Sequence, residues 1–346
     1  MINWSEQKKP IFGLSPMDGV TDAAFRYMVD TYSKPDVLLT EFVPVEAIAH
    51  GAEKVLHSFV YHQTETPTIA QIYGTDLIAY YKATFVACEA GFDGVDINMG
   101  CPDKTITKRG AGAGLILQPK HAQEIIKTVK TAIKDWSEGK TIEEAEVAES
   151  IINWVQTFKK THNIITTRQI LPVSVKTRIG VEVPVTEAWI ANLLEMEPVA
   201  ITLHGRTLAQ MYTGRADWDE IGKAAELAHK TKTILLGNGD IQSMPEARDR
   251  INDYNVDGVL IGRATFGNPW FFKEHEATTA ERFEATYKHV ESFTRLLPDG
   301  HFISLRKHMA WYCKNIPHAA EVRAQLMQMN SLDDVRRILA PYTAQT

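Results

Sequence analysis

The sequence GVDINMGCP (Gly94–Pro102) decides how the rest of the chain is interpreted. Val95 and Ile97 alternate with polar neighbours as in a short strand, and the glycine and proline that flank Cys101 end that strand. Cys101 therefore follows the C-terminal end of a strand, which is the catalytic face of a barrel built from repeated strand–helix units. This position favours a thiol presented to a substrate over the alternative interpretation, a small buried apolar side chain.

Short apolar runs alternate with segments of helical period on both sides of this stretch, which is the pattern of a parallel α/β fold. We predict eight strands, at Ile11–Ser15, Val37–Thr40, Thr68–Tyr73, Gly94–Ile97, Pro172–Lys176, Ala200–His204, Thr233–Gly237 and Gly258–Ile261. Because most of them end in polar or glycine-bearing tips, the sequence predicts an α/β fold, a (β/α)8 TIM barrel with one active-site mouth. A doubly wound sheet is the alternative fold, but no GxGxxG motif follows the first strand.

The composition limits the class of protein. The chain has 346 residues, enough for a barrel of about 250 residues and a smaller domain. Its net charge of −6 argues against a uniformly basic nucleic-acid binder and leaves room for a local basic face. The cysteines (Cys88, Cys101 and Cys313) form no CxxC or zinc-spaced cluster, and Met1–Pro10 has no apolar leader. We therefore expect an unprocessed, soluble, monomeric protein of the reducing cytoplasm, without a bound metal.

Two strand tips carry a second signal. Asn238-Gly239-Asp240 and Gly262-Arg263 follow the seventh and eighth predicted strands, where many barrels bind phosphate through backbone N–H groups. Glycine lets the backbone approach an anion, and Arg263 can add a bidentate contact. These tips favour a cofactor that bears a phosphate over a purely structural pair of turns.

The segment from about 137 to 169 is longer than a usual connection between a helix and the next strand. Thr141 and Glu144 have the spacing of a capping box, and the apolar residues that follow recur on one helical face. Because this insertion joins a helix to a strand, we expect it at the N-terminal face of the barrel, opposite the mouth, packed as an extra helix.

After residue 276 the alternation of strands and helices ends. Residues 277–346 predict a helical domain with helices at Thr278–Leu297, Ile303–Lys314, Ala319–Met329 and Leu332–Tyr342. Within it, Arg306 and Lys307 lie a few residues before Trp311 and Tyr312. Cations beside aromatic residues suit contacts with RNA phosphates and bases, and they equally suit an ordinary amphipathic helix whose cations face solvent.

Several motifs together resemble the flavin-dependent tRNA-dihydrouridine synthases over nearly the whole chain. The most specific is Asp96–Pro102, and it is supported by Ser15–Asp22, Gly262–Trp270 and the Arg306–His308 helix. The resemblance implies that the barrel, residues 1–276, binds FMN and that residues 277–346 bind tRNA. It implies cofactor contacts from Pro16, Met17, Asp18, Gln71, Lys176, His204, Asn238, Gly239, Asp240, Gly262 and Arg263.

The resemblance also implies a reaction. Reduced FMN would deliver a hydride to C6 of a specific uridine in tRNA, and Cys101 would protonate C5 to give 5,6-dihydrouridine, with NADPH or NADH as reductant. Asn98 and Arg178 would lie near the uracil. A local patch would hold the RNA: Lys104, Lys108, Arg109, Arg178, Arg206, Arg215, Arg306 and Lys307. Two alternatives remain: an FMN-dependent barrel oxidoreductase acting on a free pyrimidine-like molecule, and a non-catalytic RNA-binding protein on a retained barrel.

Overall fold

The computed structural model describes residue 4 and residues 8–62, 66–211, 213–314 and 316–343. Its strands are β1 (Ile11–Leu14), β2 (Val37–Leu39), β3 (Val43–Pro44), β4 (Thr68–Tyr73), β5 (Gly94–Met99), β6 (Val173–Arg178), β7 (Ala200–His204), β8 (Ile234–Asn238) and β9 (Gly258–Ile261). Every pairing between these strands is parallel, and β1 pairs with both β2 and β9 while β2 pairs with β4. The sheet therefore closes into an eight-stranded barrel, with β3 as a two-residue addition beside β4, and the predicted fold class is confirmed.

The barrel strands are rich in Val, Ile and Leu because they are covered on both faces, by the packed interior and by the outer helices. The helices are α1 (Ala23–Ser33), α2 (Val45–Ala49), α3 (Leu77–Glu89), α4 (Lys104–Lys108), α5 (Pro119–Ser137), α6 (Glu149–His162), α7 (Thr186–Leu194), α8 (Trp218–Ala228), α9 (Met244–Tyr254), α10 (Thr279–Leu296), α11 (Phe302–Tyr312), α12 (Ala319–Leu326) and α13 (Leu332–Thr343). In the part of the chain that the structure describes, no helix is long and apolar enough to cross a membrane.

Two strands extend two residues further toward the mouth than the sequence predicts, and β8 extends one residue further, to Asn238. Strand β5 runs on to Met99 and β6 to Arg178, because the two strands stay paired through Asn98 with Lys176 and Met99 with Thr177. Asn98 and Lys176 are thus held by rigid paired backbone and do not lie on flexible tips. This placement suits side chains that must keep a fixed orientation.

The inserted segment follows the outer wall of the barrel and is not confined to the N-terminal face as expected. The first turn of α6 lies beside Gly51, where Ser150 donates a hydrogen bond to the Gly51 carbonyl at 3.0 Å. Its last turn lies beside the end of α3, where Lys159 donates to Glu89 at 3.0 Å. The apolar face of α6 packs against the outer wall, where Ile151, Val155 and Phe158 are buried. Thr141 and Glu144 form both hydrogen bonds of the predicted capping box, but they lie in a turn. The helix itself begins at Glu149.

The C-terminal helices pack on the first barrel helix. Ala24 and Met28 of α1 share one apolar cluster with Phe283 and Phe293 of α10 and with Leu305 of α11. In this arrangement Lys307, in the middle of α11, donates a hydrogen bond to the Gly19 carbonyl in the barrel loop that follows β1. The helical region therefore lies beside the mouth, where it can contribute to a shared surface.

Candidate active site at the barrel mouth

The carboxyl ends of the barrel strands enclose a cavity of about 530 Å³, which we call the mouth cavity. Most of the site residues predicted from the sequence line it: Pro16, Met17, Asp18, Asn98, Cys101, Lys176, Arg178, His204, Arg206, Asn238, Gly239, Asp240, Gly262 and Arg263. Gln71 is fully buried and does not line the cavity; its amide hydrogen-bonds the side chain of Asn98. A cavity of this size is within the usual range for cofactor sites.

Cys101 lies at the edge of this cavity on a loop that Asn98 holds in place. The Asn98 side-chain oxygen accepts hydrogen bonds from the backbone N–H of Gly100 at 3.0 Å and of Cys101 at 2.8 Å. The side chain of Cys101 is 8% exposed, and burial raises the pKa of its thiol. The thiol therefore keeps its proton at neutral pH, which a general acid requires and a nucleophilic cysteine does not.

Beside the thiol, on the neighbouring strands β6 and β7, the cavity wall is cationic. Lys176 donates to the Asn238 side chain at 3.1 Å, and removal from water, together with the charge of Arg178, lowers the pKa of Lys176 to about 8. Burial and the neighbouring cations lower the pKa of His204 well below its ordinary value, so this imidazole is neutral. The Nε atom of Arg206 is buried with no hydrogen-bond partner among the described residues. This wall suits a planar, electron-rich or anionic group.

The two glycine-bearing tips meet at one end of the cavity. A Cβ on Gly239 would lie 2.6 Å from the Cβ of Ala216, and this glycine has a φ of +132°. Only glycine leaves the backbone free to take this shape. Asp240 accepts hydrogen bonds from Arg206 at 2.6 Å and from Arg263 at 2.9 Å, so it orients two cations at this end.

Arg178 supports the loop that carries the thiol through hydrogen bonds. Its guanidinium donates to the carbonyls of Gly100 at 2.7 Å and Thr207 at 3.1 Å, and its side chain is 3% exposed. It lines the cavity, but these bonds tie the end of β6 to the Cys101 loop. Its ability to contact a substrate is limited to the part of the guanidinium that faces the cavity.

The two cations of α11 that the sequence pointed to are bound within the protein. Arg306 donates to the Met329 carbonyl at 3.3 Å and to the Asn330 side chain at 2.9 Å. Lys307 donates to the Gly19 carbonyl in the loop after β1. Neither cation points freely into solvent as the alternative interpretation requires, and neither lines the mouth cavity. Lys104, Lys108 and Arg109 are exposed on the rim at and just after α4.

A second cavity, of about 610 Å³, lies between the barrel and the helical region, and we call it the interdomain cleft. Arg282, Lys314 and Arg323 line it, and within the described ranges none of the three forms an ion pair. Trp311 lines the cleft too, stacked on Phe266 with ring centroids 4.0 Å apart. The cleft shares three lining residues with the mouth cavity: Gln242, Arg263 and Phe266.

Sequence reasoning did not assign these three cations because they lie at scattered positions on α10, past α11 and on α12. Each has an apolar neighbour in the sequence and resembles any surface cation. The signal that would have found them is that none of the three has an acidic residue at i±3 or i±4 in the sequence, and this signal is weak.

Comparisons with known proteins agree with this geometry. The family model described as dihydrouridine synthase matches residues 13–142 and 140–345. The chain is 32% identical over 351 residues to a "Probable tRNA-dihydrouridine synthase" of Staphylococcus aureus (strain COL), covering 99% of this chain and 96% of the relative. It is 30% identical to the "Probable tRNA-dihydrouridine synthase 2" of Bacillus subtilis (strain 168), covering 97% of this chain and 95% of the relative.

Similar solved structures share much lower identity. They include the old yellow enzyme homologue from Zymomonas mobilis, at 13% identity and a TM-score of 0.43, covering 78% of this chain and 89% of that one. They also include DHODH from Eimeria tenella in complex with ferulenol, at 12% identity and a TM-score of 0.49, covering 76% of this chain and 78% of that one.

Proposed function

Since the chain belongs to the dihydrouridine synthase family, we propose that it is an FMN-dependent enzyme that reduces a specific uridine of tRNA to 5,6-dihydrouridine. The observation that carries this proposal is the mouth cavity, which is lined by both a protonated thiol and a cationic wall. The first provides a proton and the second a place for a flavin. Both are needed to saturate a C=C bond of a uracil.

The residues of the mouth cavity fit FMN. Lys176 and the buried, unpartnered Nε of Arg206 suit the electron-rich pyrimidine side of the flavin ring. The backbone at Gly239 and Gly262, with Arg263 beside it, suits the phosphate. The remaining predicted contacts, from Pro16, Met17, Asp18, His204 and Asn238, line the same cavity, while Gln71 contacts it through Asn98. When bound, reduced FMN would supply the hydride that no side chain can supply.

The chain's own residues supply the proton and the orientation. Cys101 would give its thiol proton to C5 of the uracil as C6 accepts the hydride, and the resulting thiolate would recover a proton from solvent. Asn98, which lines the cavity, can donate its second amide N–H to a uracil carbonyl. Burial of the thiol keeps the proton in place until the substrate arrives, because it raises the pKa of Cys101.

The interdomain cleft supports RNA as the substrate. A free pyrimidine carries no phosphate chain and would leave Arg282, Lys314 and Arg323 without a role. A folded RNA whose flipped base enters the mouth cavity would carry its neighbouring phosphates past the shared residues Arg263 and Gln242 into the cleft. The stacked ring of Trp311 offers a surface for an unpaired base. We therefore assign the RNA-binding role to these cations in addition to Lys104, Lys108 and Arg109 on the rim. NADPH or NADH would supply the electrons for each turnover.

Mass spectrometry of tRNA from cells with and without the gene tests this function. We expect one or more dihydrouridines to be lost from specific tRNA positions in the deletion strain and restored by the wild-type gene. Restoration by a Cys101→Ala gene at the wild-type level would contradict the role of the thiol. An unchanged set of dihydrouridines in a strain with no other family member would contradict the proposed function.

A further inference from the structure

A buried aspartate lies below Asn98 at the centre of the barrel. Gln71 on β4, Asp96 on β5 and Ser174 on β6 are paired neighbours in the sheet, so their side chains lie in one layer. The carboxylate of Asp96 accepts hydrogen bonds from Ser174 at 2.6 Å and from the Gln71 amide nitrogen at 2.7 Å. Its exposed fraction is 1%, and it lines neither cavity. The resemblance to a known family and the proposed reaction give this aspartate no role.

From Asp96 a continuous hydrogen-bond chain leads to the thiol loop. The Gln71 side-chain oxygen accepts from the Asn98 amide nitrogen at 3.0 Å. The Asn98 side-chain oxygen then accepts from the backbone N–H of Cys101 at 2.8 Å. Every side chain in this chain, comprising Asp96, Gln71, Asn98 and Cys101, is less than a tenth exposed. Water is therefore not available to replace a missing partner.

The direction of these bonds is set at the aspartate. An ionised carboxylate can only accept, so it turns the nitrogen of the Gln71 amide toward itself and the oxygen toward Asn98. Asn98 must then present its nitrogen to Gln71, which leaves its oxygen for the Cys101 loop. An amide has both a donor end and an acceptor end, and without this anchor the two amides could both reverse. In the reversed state the Asn98 nitrogen would face the N–H of Cys101, donor against donor.

We propose that Asp96 is a positioning residue for Cys101: its carboxylate sets the orientation of two amides in series and thereby fixes the backbone of the loop that carries the thiol. Burial raises the pKa of Asp96 to about 6, while Ser174, Gln71 and the charge of Lys176 act in the opposite direction, so the group is ionised at neutral pH. Lys176 is the charged side chain that faces it among the described residues. The proposal rests on the proposed function only where it assigns Cys101 as the acid.

A swap of charge between two positions tests the direction of the bonds. Gln71→Glu places two carboxylates against each other in a buried site, so that one must take a proton or the two must separate. Adding Asp96→Asn restores a consistent chain: the amide introduced at position 96 donates to the carboxylate introduced at position 71, and that carboxylate still accepts from Asn98. Both the single and the double variant keep the side-chain volumes nearly unchanged.

Two readouts are measured on each flavin-loaded protein. The first is the alkylation rate of Cys101 by iodoacetamide, followed by peptide mass spectrometry, with the buried Cys88 and Cys313 as internal references. The second is the ratio of single-turnover dihydrouridine formation to flavin reduction by NADPH. We expect Gln71→Glu to raise the alkylation rate several-fold and lower the ratio about tenfold, and the double variant to return both to within about threefold of wild type, as coupling within one hydrogen-bond chain requires.

Asp257→Asn is the matched control. Asp257 is a buried aspartate at the opposite end of the barrel, where it accepts from the Leu235 N–H at 2.8 Å and pairs with Lys9. We expect this variant to lose stability and keep both readouts unchanged. If Gln71→Glu does not fold, Asp96→Asn makes the test by itself: its amide can present either end to Gln71, so we expect a higher alkylation rate and a lower ratio, and wild-type readouts would overturn the proposal.

A double variant that is folded, flavin-loaded and as impaired as Gln71→Glu would overturn the positioning role, and so would a Gln71→Glu protein with wild-type readouts. The alkylation readout needs no substrate. If wild-type protein forms no dihydrouridine while Cys101 alkylation follows the expected pattern, the proposed function fails and the positioning role stands.

Discussion

The mouth cavity and the interdomain cleft use polar side chains in opposite ways. In the mouth, Asn98, Lys176 and Arg178 are hydrogen-bonded to the Cys101 loop or to a strand of the barrel, so their positions are fixed before any ligand arrives. In the cleft, Lys314 and Arg323 are exposed and form no ion pair among the described residues. Fixed groups suit chemistry, which needs exact distances, whereas free cations suit a flexible polyanion. Under the proposed function, the mouth would determine the rate of reaction and the cleft would determine which molecule reacts.

The largest expected effect is that of removing the Cys101 thiol, which should impair the chemistry of the mouth and leave RNA binding in the cleft unchanged. Cys101→Ala should lower dihydrouridine formation by roughly 10²–10⁴, the usual cost of a missing general acid, and leave tRNA affinity and flavin reduction by NADPH unchanged. Rapid-quench assays and a binding titration on the same preparation check both halves. Cys313→Ala, a buried cysteine of the helical region, is the control and should behave as wild type. A Cys101→Ala enzyme with near-normal product formation would show that the acid lies elsewhere.

The interface between the barrel and the C-terminal helices is expected to lose stability in acid. His289 and His308 are fully buried between α1, α10 and α11, and burial lowers the pKa of His289 to about 3 and that of His308 well below its ordinary value. Their neighbours are Phe25, Tyr312 and the charge of Lys307. In the unfolded chain both take up protons as pH falls below 6.5, so stability is present above that pH and is lost below it.

Each histidine should therefore raise the equilibrium constant of unfolding roughly tenfold per pH unit below 6.5. This corresponds to a fall of about 1.4 kcal/mol in the free energy of unfolding. Urea unfolding of wild type and His308→Phe between pH 7.5 and 5 measures this dependence, and the variant should lose the contribution of one histidine, up to about 1.4 kcal/mol per pH unit below 6.5. Equal pH slopes for the two proteins would mean that the acid sensitivity has another origin.

The cleft is tested by removing charge without touching the mouth. Replacing Arg282, Lys314 and Arg323 with Gln should weaken tRNA binding about tenfold or more and reduce the log–log salt slope by about two, since each phosphate contact contributes about 0.7. Single-turnover rates at saturating tRNA should stay within about twofold. A matched control is the double replacement of Arg336 and Arg337, which are paired with Asp333 and Asp334. Loss of rate without loss of tRNA affinity would contradict the assignment of RNA binding to the cleft and of chemistry to the mouth.

The smallest effect concerns Arg306, which the sequence suggested as an RNA contact. Its bonds to Met329 and Asn330 are internal, so Arg306→Ala should lower stability by about 1 kcal/mol, the usual net value of a hydrogen bond. The salt slope of tRNA binding should not change. A salt slope reduced by about one in the variant would show that Arg306 contacts an RNA phosphate.

The sequence predicted the barrel and most of the mouth because both depend on local patterns. Strand periodicity located the eight barrel strands, and parallel strands bring all their carboxyl ends to one face. Cys101, Lys176 and Arg263 could therefore be placed together from strand ends alone. The two-residue strand Val43–Pro44 is too short for any periodicity to reveal it.

The cleft could not be predicted, because whether a cation is free depends on contacts between distant segments. Arg306 is occupied by a residue 24 positions away and Lys307 by one 288 positions away. In the sequence both resemble Arg323, which is free of ion pairs among the described residues. The role of Asp96 was hidden for the same reason: a polar residue within a buried strand is visible, but its partners lie on two other strands.

The most direct test of the account offers the purified, FMN-loaded protein two substrates in parallel, an unmodified folded tRNA and free uridine monophosphate, with NADPH as reductant. Mass spectrometry of both products reports the gain of two hydrogen atoms on the uracil. The account predicts dihydrouridine at a specific tRNA position and negligible reduction of the free nucleotide, because the fixed mouth performs the reduction and the cleft delivers the base to it. Comparable reduction of free nucleotide and tRNA, or reduction of the nucleotide alone, would contradict it.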